Sequence, residues 1–166
     1  VYAPNELSKR PKPVEIDKDL ILIESLVKDL DNRACALLEA IILQESKGNP
    51  KAYNEKEDAV GILQIRPVKV AHINQILKRQ GNELQFTLED RWDARKSILM
   101  WKINMEVSNP NYDVLKACIS WNGKGKDGNG SPEYYNNILT KYKKLCQTMN
   151  TEEVDAYYGS PLLSSL

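Results

Sequence analysis

Between Ala34 and Glu45 the chain spaces Ala34, Leu37, Leu38, Ile41 and Ile42 three and four residues apart, then sets a carboxylate, Glu45, at the next position of the series. That spacing closes on one face of a helix with 3.6 residues per turn. An apolar stripe of this length needs a partner surface. It therefore predicts the most buried helix of an α-helical core, beginning near Asp31 or Asn32 and ending about Ser46, before Gly48-Asn49-Pro50. Glu45 follows Ile41 by four residues and Leu38 by seven, so helical geometry puts its carboxylate on the apolar stripe. Periodicity alone favours a side chain that turns out to water at the helix end. A carboxyl that stays in is desolvated, and its pKa rises toward the value a general acid needs near neutral pH.

The same period recurs along the chain. Leu20, Ile21, Ile23, Leu26, Val27 and Leu30 predict a short amphipathic helix from Asp17 to Leu30. Lys47 to Val60 is polar and reads as a surface loop, and Gly61-Ile62-Leu63-Gln64-Ile65 as either a short strand or an irregular buried turn. Pro67 suits the first turn of a helix running to about Arg79, closed by Gly81-Asn82. Thr87 to about Val107 reads as one helix, with Thr87 and Asp90 resembling a capping box and Asn109-Pro110 ending it. Val114 to Asn122 forms a compact helix, an open loop of glycines and lysines runs through Gly130, and Ser131 caps a last long helix. No run of alternating strands emerges, so the expected fold is mainly α with at most a small β element. Residues 1–16, with Pro4, Pro11 and Pro13, read as an arm, 17–150 as one domain and 151–166 as a tail.

Composition narrows the function. The 23 basic and 23 acidic side chains cancel, so no long-range field favours nucleic acid or an anionic membrane, and no stretch reaches the length of a membrane span. Cys35, Cys118 and Cys146 fit neither a zinc-ligand pattern nor a dithiol motif, and for Cys35 and Cys118, each among apolar residues at helical spacing, a buried free thiol is favoured over a disulfide. Neither a metal nor a cofactor is expected. The start Val1-Tyr2-Ala3-Pro4 carries no initiating Met, which reads as a trimmed chain whose export signal has been removed.

A series of ordered elements then carries a family resemblance. Glu45-Ser46, Asn49-Pro50 with Ala52, and Gly61-Ile62-Leu63-Gln64-Ile65 with Pro67 resemble the signature of soluble lytic transglycosylases (SLT domains) in order and spacing. Trp121-Asn122-Gly123 resembles that family's alanine-tyrosine-asparagine-alanine-glycine element, and Ser131 to Ile138 resembles the later segment that ends in a tyrosine. The resemblance spans roughly residues 30–145. It implies a lysozyme-like fold, related to goose-type lysozyme-like glycan cleavers, with helices around a glycan-binding cleft. It also implies peptidoglycan glycan strands as the partner, a cell-envelope location, and Glu45 as the sole catalytic carboxylate, acting as acid and then as base.

The supporting residues are assigned position by position, each beside a plainer role. Gln64 would offer its amide to sugar acetamido or hydroxyl groups, or make a structural hydrogen bond. Ser46 would reach substrate or bond near its helix end. Asn122 would bind ligand or terminate its helix. Trp121 stands where many members carry a tyrosine, and offers either a sugar-stacking platform or an apolar wall around the acid. Tyr135 aligns with the later tyrosine, whose phenol orients the glutamate; Tyr134 is expected on another helix face. His72, the single histidine, reads as a surface or edge residue, and Lys124 with Lys126 as a solvated basic rim. Glu55, Glu57 and Asp58 read as loop acids, with Asp58 near enough to serve a hydrolase as base. The competing functions are a muramidase that hydrolyses the same bond, and an inactive peptidoglycan-binding module.

Overall fold

The computed structural model describes residues 30–123, 128 and 130–149. The helix expected over residues 17–30, the arm, the tail, and Lys124 and Lys126 lie outside these, apart from Leu30. Among the described residues, five helices and one two-stranded sheet make the mainly α, lysozyme-like architecture that the periodicity and the resemblance lead us to expect.

Helix α1, Asn32–Ser46, opens on Asp31, whose carboxylate accepts the Ala34 N–H at 2.8 Å. It closes on Lys47 in the left-handed region, with its N–H returning to Leu43. Every residue from Ala34 to Ile42 is buried. The stripe read from the sequence is thus part of a helix wrapped on all sides, its small residues Ala34, Ala36 and Ala40 admitting neighbours where bulk would keep them out. Helix α5, Pro132–Met149, runs along it, with Ser131 accepting the Tyr134 N–H at 3.2 Å. The pairing is antiparallel, because Tyr134 meets Glu45 at one end and Tyr142 meets Arg33 at the other.

Helix α2, Pro67–Arg79, starts where proline's missing N–H does no harm. The expected single helix from Thr87 to Val107 is instead two pieces: a 3₁₀ turn, Glu89–Trp92, and helix α3, Ala94–Ser108. Asp93 divides them. Its backbone is extended and its carboxylate caps the Lys96 N–H at 2.9 Å, so the new helix begins on a local hydrogen bond that a continuous helix would forgo. Helix α4, Val114–Asn122, is capped by Asp113, whose backbone the Asn109 side-chain amide holds, donating to its carbonyl at 2.7 Å and accepting its N–H at 2.9 Å. Helix α3 packs against α2 and α4, and α4 against α5.

The polar stretch expected to be a plain loop contains the sheet. β1, Tyr53–Asn54, pairs antiparallel with β2, Ala59–Val60, with Tyr53 opposite Val60. Gly61 to Gln64 then turns, and Ile65 bridges back to Val60, so of the two alternatives for this segment the buried turn is the one found. Ile62, Leu63 and Ile65 enter the core beside Leu37, Leu38, Ile41 and Trp101.

All three cysteines are free, Cys35 and Cys118 buried and Cys146 partly exposed. Burial, and then the charge of Asp31, pushes the Cys35 thiol up to about 11. Titration of the native protein with a thiol reagent at pH 8 is therefore expected to give one fast equivalent, from Cys146, and two more only on unfolding. Three fast equivalents would show that the core is open.

Candidate active site

Glu45 sits one residue from the end of α1, and the turn after β2 and the start of α2 meet α4 around it. Together they enclose a cavity of about 340 Å³, lined among others by Glu45, Gln64, Arg66, Lys69, Trp121 and Asn122. The Glu45 carboxyl is half-buried and its pKa is pushed up to about 7. Desolvation is the main cause; a hydrogen bond from Tyr134 and the charge of Arg66 oppose it, and Glu57 adds to it. The Tyr134 hydroxyl donates to Glu45 Oε1 at 2.6 Å, a charge-assisted bond when the carboxyl is ionised. Burial, and then the neighbouring Glu45, hold the Tyr134 phenol far above its ordinary pKa, so it remains a donor.

This geometry corrects the choice between the tyrosines. Tyr135 was expected to orient the glutamate, but it packs against the core and it is Tyr134 that reaches Glu45. Counting across a loop of variable length leaves the register uncertain by a residue, and one residue turns a helix by about 100°. Ile138 would not have distinguished them, being four residues after one tyrosine and three after the other. Lys141, seven residues after Tyr134, would have been the better signal, since it donates to Gln44 at 3.0 Å along the same face.

Ser46 and Gln64 are used by the backbone. Ser46 donates to the Ile62 carbonyl at 2.7 Å and accepts the Gly48 N–H at 3.2 Å, which ties the end of α1 to the turn after β2. Gln64 has φ +48° and donates both amide hydrogens, to Ala52 at 3.1 Å and Gly61 at 2.9 Å. It lines the cavity, but only its side-chain oxygen is left for a ligand. Asn122 ends α4 at the cavity, followed by Gly123 at φ +103°. Trp121 is buried, its indole N–H given to Leu63 at 3.1 Å and its ring covered by the Lys69 ammonium 5.1 Å from the centroid. Of its two expected roles, this arrangement favours the wall over the sugar platform.

Gly61 makes the turn possible. At φ +80° its N–H bonds Ala52 at 2.8 Å, and a Cβ there would lie 2.1 Å from the Arg91 carbonyl oxygen. Arg91, buried, donates to Asp58 O at 2.7 Å, to Ile65 O at 3.2 Å and to Leu88 O at 2.8 Å. It fastens the sheet to the 3₁₀ turn. Asp58 is engaged there too, its carboxylate 3.4 Å from Arg91, and it does not line the cavity.

The family model for the transglycosylase SLT domain matches residues 28–126. The chain belongs to that family. Comparison with curated proteins and with solved structures gives no match. SLT domains are generally lytic transglycosylases that act on peptidoglycan. In this SLT domain the described residues include no helix long and apolar enough to cross a membrane and no cluster of metal-ligating side chains.

The motifs did not mark three further residues of this SLT domain's cleft. Arg66 and Lys69 are three apart at the start of α2, one turn on the same side, and both line the cavity. Lys69 donates to the Ser120 carbonyl at 2.6 Å, and burial with the charge of Arg66 lowers its pKa to about 8. Glu57, and not Asp58, is the acid of the preceding loop that faces the cavity. The spacing of Arg66 and Lys69 was visible in the sequence, but nothing there said which face of α2 would meet α4.

Proposed function

We propose that this SLT domain cleaves the β-1,4 bond between N-acetylmuramic acid and N-acetylglucosamine, with Glu45 as the single catalytic acid and base. Glu45 passes its proton to the glycosidic oxygen as the bond to C1 of the muramyl residue breaks. Its carboxylate then takes the proton of that sugar's C6 hydroxyl as the C6 oxygen closes on C1. The products are a free 4-hydroxyl and a 1,6-anhydro ring, and no water is consumed. An intramolecular hydroxyl is already positioned, so no second carboxylate has to attack or to activate water.

The observation that carries this reading is the pairing of Glu45 with Tyr134: a carboxyl poised near 7, which can hold a proton and then lose it, with one oxygen fixed at 2.6 Å. Such a pKa suits both halves of the cycle near neutral pH. The substrate places the enzyme's work outside the cytoplasm, in the cell envelope.

Mass analysis of the muropeptides released from purified peptidoglycan tests the chemistry. Anhydro-ended products are expected, and reducing muramic ends would refute it. One observation favours that hydrolytic alternative: Glu57 lines the same cavity and its charge bears on Glu45, as a water-activating base would. If hydrolysis is the reaction, Glu57→Gln abolishes it; in a transglycosylase the same variant stays active. No release of either product from intact protein would favour an inactive binding module.

Tyr134→Phe is expected to lower kcat about tenfold, the scale of one hydrogen bond to a charged group. Because the Tyr134 hydrogen bond lowers the Glu45 pKa, its loss raises that pKa further. The acid form then persists to higher pH, and the alkaline limb of the pH–rate profile moves upward. A profile that stays in place would show that the hydroxyl does not act through Glu45.

A further inference from the structure

The last turn of α4 brings Trp121 and Asn122 to the cavity that Glu45 lines, and polar ties from three other parts of the fold hold it there. The Trp121 indole N–H goes to the Leu63 carbonyl, in the turn after β2, at 3.1 Å. From α3, the buried Asn104 amide donates to the Ser120 hydroxyl oxygen at 3.1 Å. From α2, the Lys69 ammonium donates to the Ser120 carbonyl at 2.6 Å, the shortest of the three. Ser120 lies where a helix leaves carbonyls without an intrahelical partner, so the ammonium satisfies one of them and meets the negative end of the helix dipole. The same ammonium stands over the Trp121 ring, 5.1 Å from its centroid.

Filling space does not require a cation at this point. Lys69 is half-buried, and among the described residues no carboxylate forms an ion pair with it. Desolvating an ammonium against a carbonyl and a ring is costly, and an apolar side chain of similar length would pack there without that cost. What the cation adds is a directional grip from α2 on the end of α4. Asn122, two residues beyond Ser120, shares the cavity with Glu45, which α1 carries, and with Gln64, which the turn after β2 carries. A small movement of the α4 end therefore displaces Asn122 relative to the acid. We propose that Lys69 is a positioning residue, which through Ser120 and Trp121 sets where Asn122 stands relative to Glu45 and so presents the glycan to the acid in a productive register. The proposal rests on the glycan-cleaving reading of the cavity.

Kinetics on soluble, uncross-linked peptidoglycan strands with the full-length chain test it. Lys69→Met is expected to lower kcat by about tenfold to a hundredfold and to change KM by less than about threefold, because the strand still binds but lies out of register with the acid. Lys69→Arg keeps the charge and the donors, and is expected to restore kcat to within about threefold of wild type. In isotope-labelled protein the Trp121 indole N–H resonance, identified by its loss in Trp121→Phe, is expected to move in Lys69→Met and to return in Lys69→Arg. A wild-type kcat in Lys69→Met, or an Arg variant as slow as the Met variant, overturns the assignment. So does a loss of activity in Lys69→Met that only matches its loss of folded protein in urea unfolding. Should Lys69→Met fail to fold, Lys69→Gln, shorter and uncharged, is judged by the same outcomes. If wild type releases products and the variants match it, the positioning role alone falls. If wild type releases nothing from these strands, the glycan reading falls and this one with it.

Discussion

Glu45→Gln is expected to reduce release of anhydro-ended muropeptides by roughly 10²–10⁴-fold, the usual contribution of a general acid and base, and at the same time to stabilise the fold above neutral pH. The amide keeps the carbonyl that accepts the Tyr134 hydroxyl but has no proton to give and no charge to desolvate. The Glu45 pKa is raised on folding from 4.5 to about 7. Below 4.5 the carboxyl is neutral in both folded and unfolded chains, so its stabilising contribution is fully present. Between 4.5 and about 7 the unfolded chain gives up the proton while the folded one keeps it, and that contribution is lost progressively as pH rises through the folded value. Wild type is therefore expected to lose up to about 3 kcal/mol between pH 4 and pH 8 through this one group, a loss the Gln variant escapes. Urea unfolding of both proteins at the two pH values measures the difference. Equal activity of the two proteins would sink Glu45 as the acid, whereas an equal stability difference at both pH values would sink its raised pKa.

Gly61→Ala is expected to destabilise the fold by more than about 3 kcal/mol and to take activity with it. Two effects act together. A side chain at φ +80° is strained by about 1 kcal/mol, and the new methyl would stand 2.1 Å from the Arg91 carbonyl oxygen, a backbone atom that cannot swing aside. That carbonyl is itself held, accepting the Ser97 hydroxyl at 3.1 Å. Relief would require parting the turn from the 3₁₀ segment, which breaks the Arg91 hydrogen bonds to Asp58 and Ile65 and displaces Gln64 from the cleft. Gly81→Ala is the matched comparison, with φ +70° and open space around its Cβ position, and should cost only about 1 kcal/mol. Similar losses at both positions, measured by urea unfolding, would show that close approach to Arg91 is not what requires glycine.

Much of the helical scaffold was legible because local chemistry sets it. Asp31, Pro67, Asp113 and Ser131 stand at helix starts, where a side-chain acceptor or a missing N–H has an immediate use, and those four boundaries were found within a residue. Asp93 was overlooked because the apolar period runs on across it; a cap within a periodic stretch competes with the helix, and only the backbone shows which prevails. The sheet was hidden for a different reason. Two strands of two residues are too short to show alternation, and Tyr53 and Asn54 are exposed, so neither their burial nor their period departs from that of a loop.

At the candidate site, spacing placed Glu45 on the apolar side of its helix, and the motifs brought Gln64, Trp121 and Asn122 to the same cavity. Their hydrogen-bond partners were beyond reach. Ser46, Gln64 and Trp121 bond backbone carbonyls 16, 12 and 58 residues away, and main-chain acceptors carry no residue-specific mark in a sequence. The amino-acid order alone determined that this chain buries one long helix with an acid near its end, because periodicity and capping act within a few residues. Only the tertiary structure decided that Tyr134 and not Tyr135 holds that acid and that Glu57 and not Asp58 faces the cleft. Each of these depends on how helices are rotated against their neighbours, which is fixed by packing across the whole core.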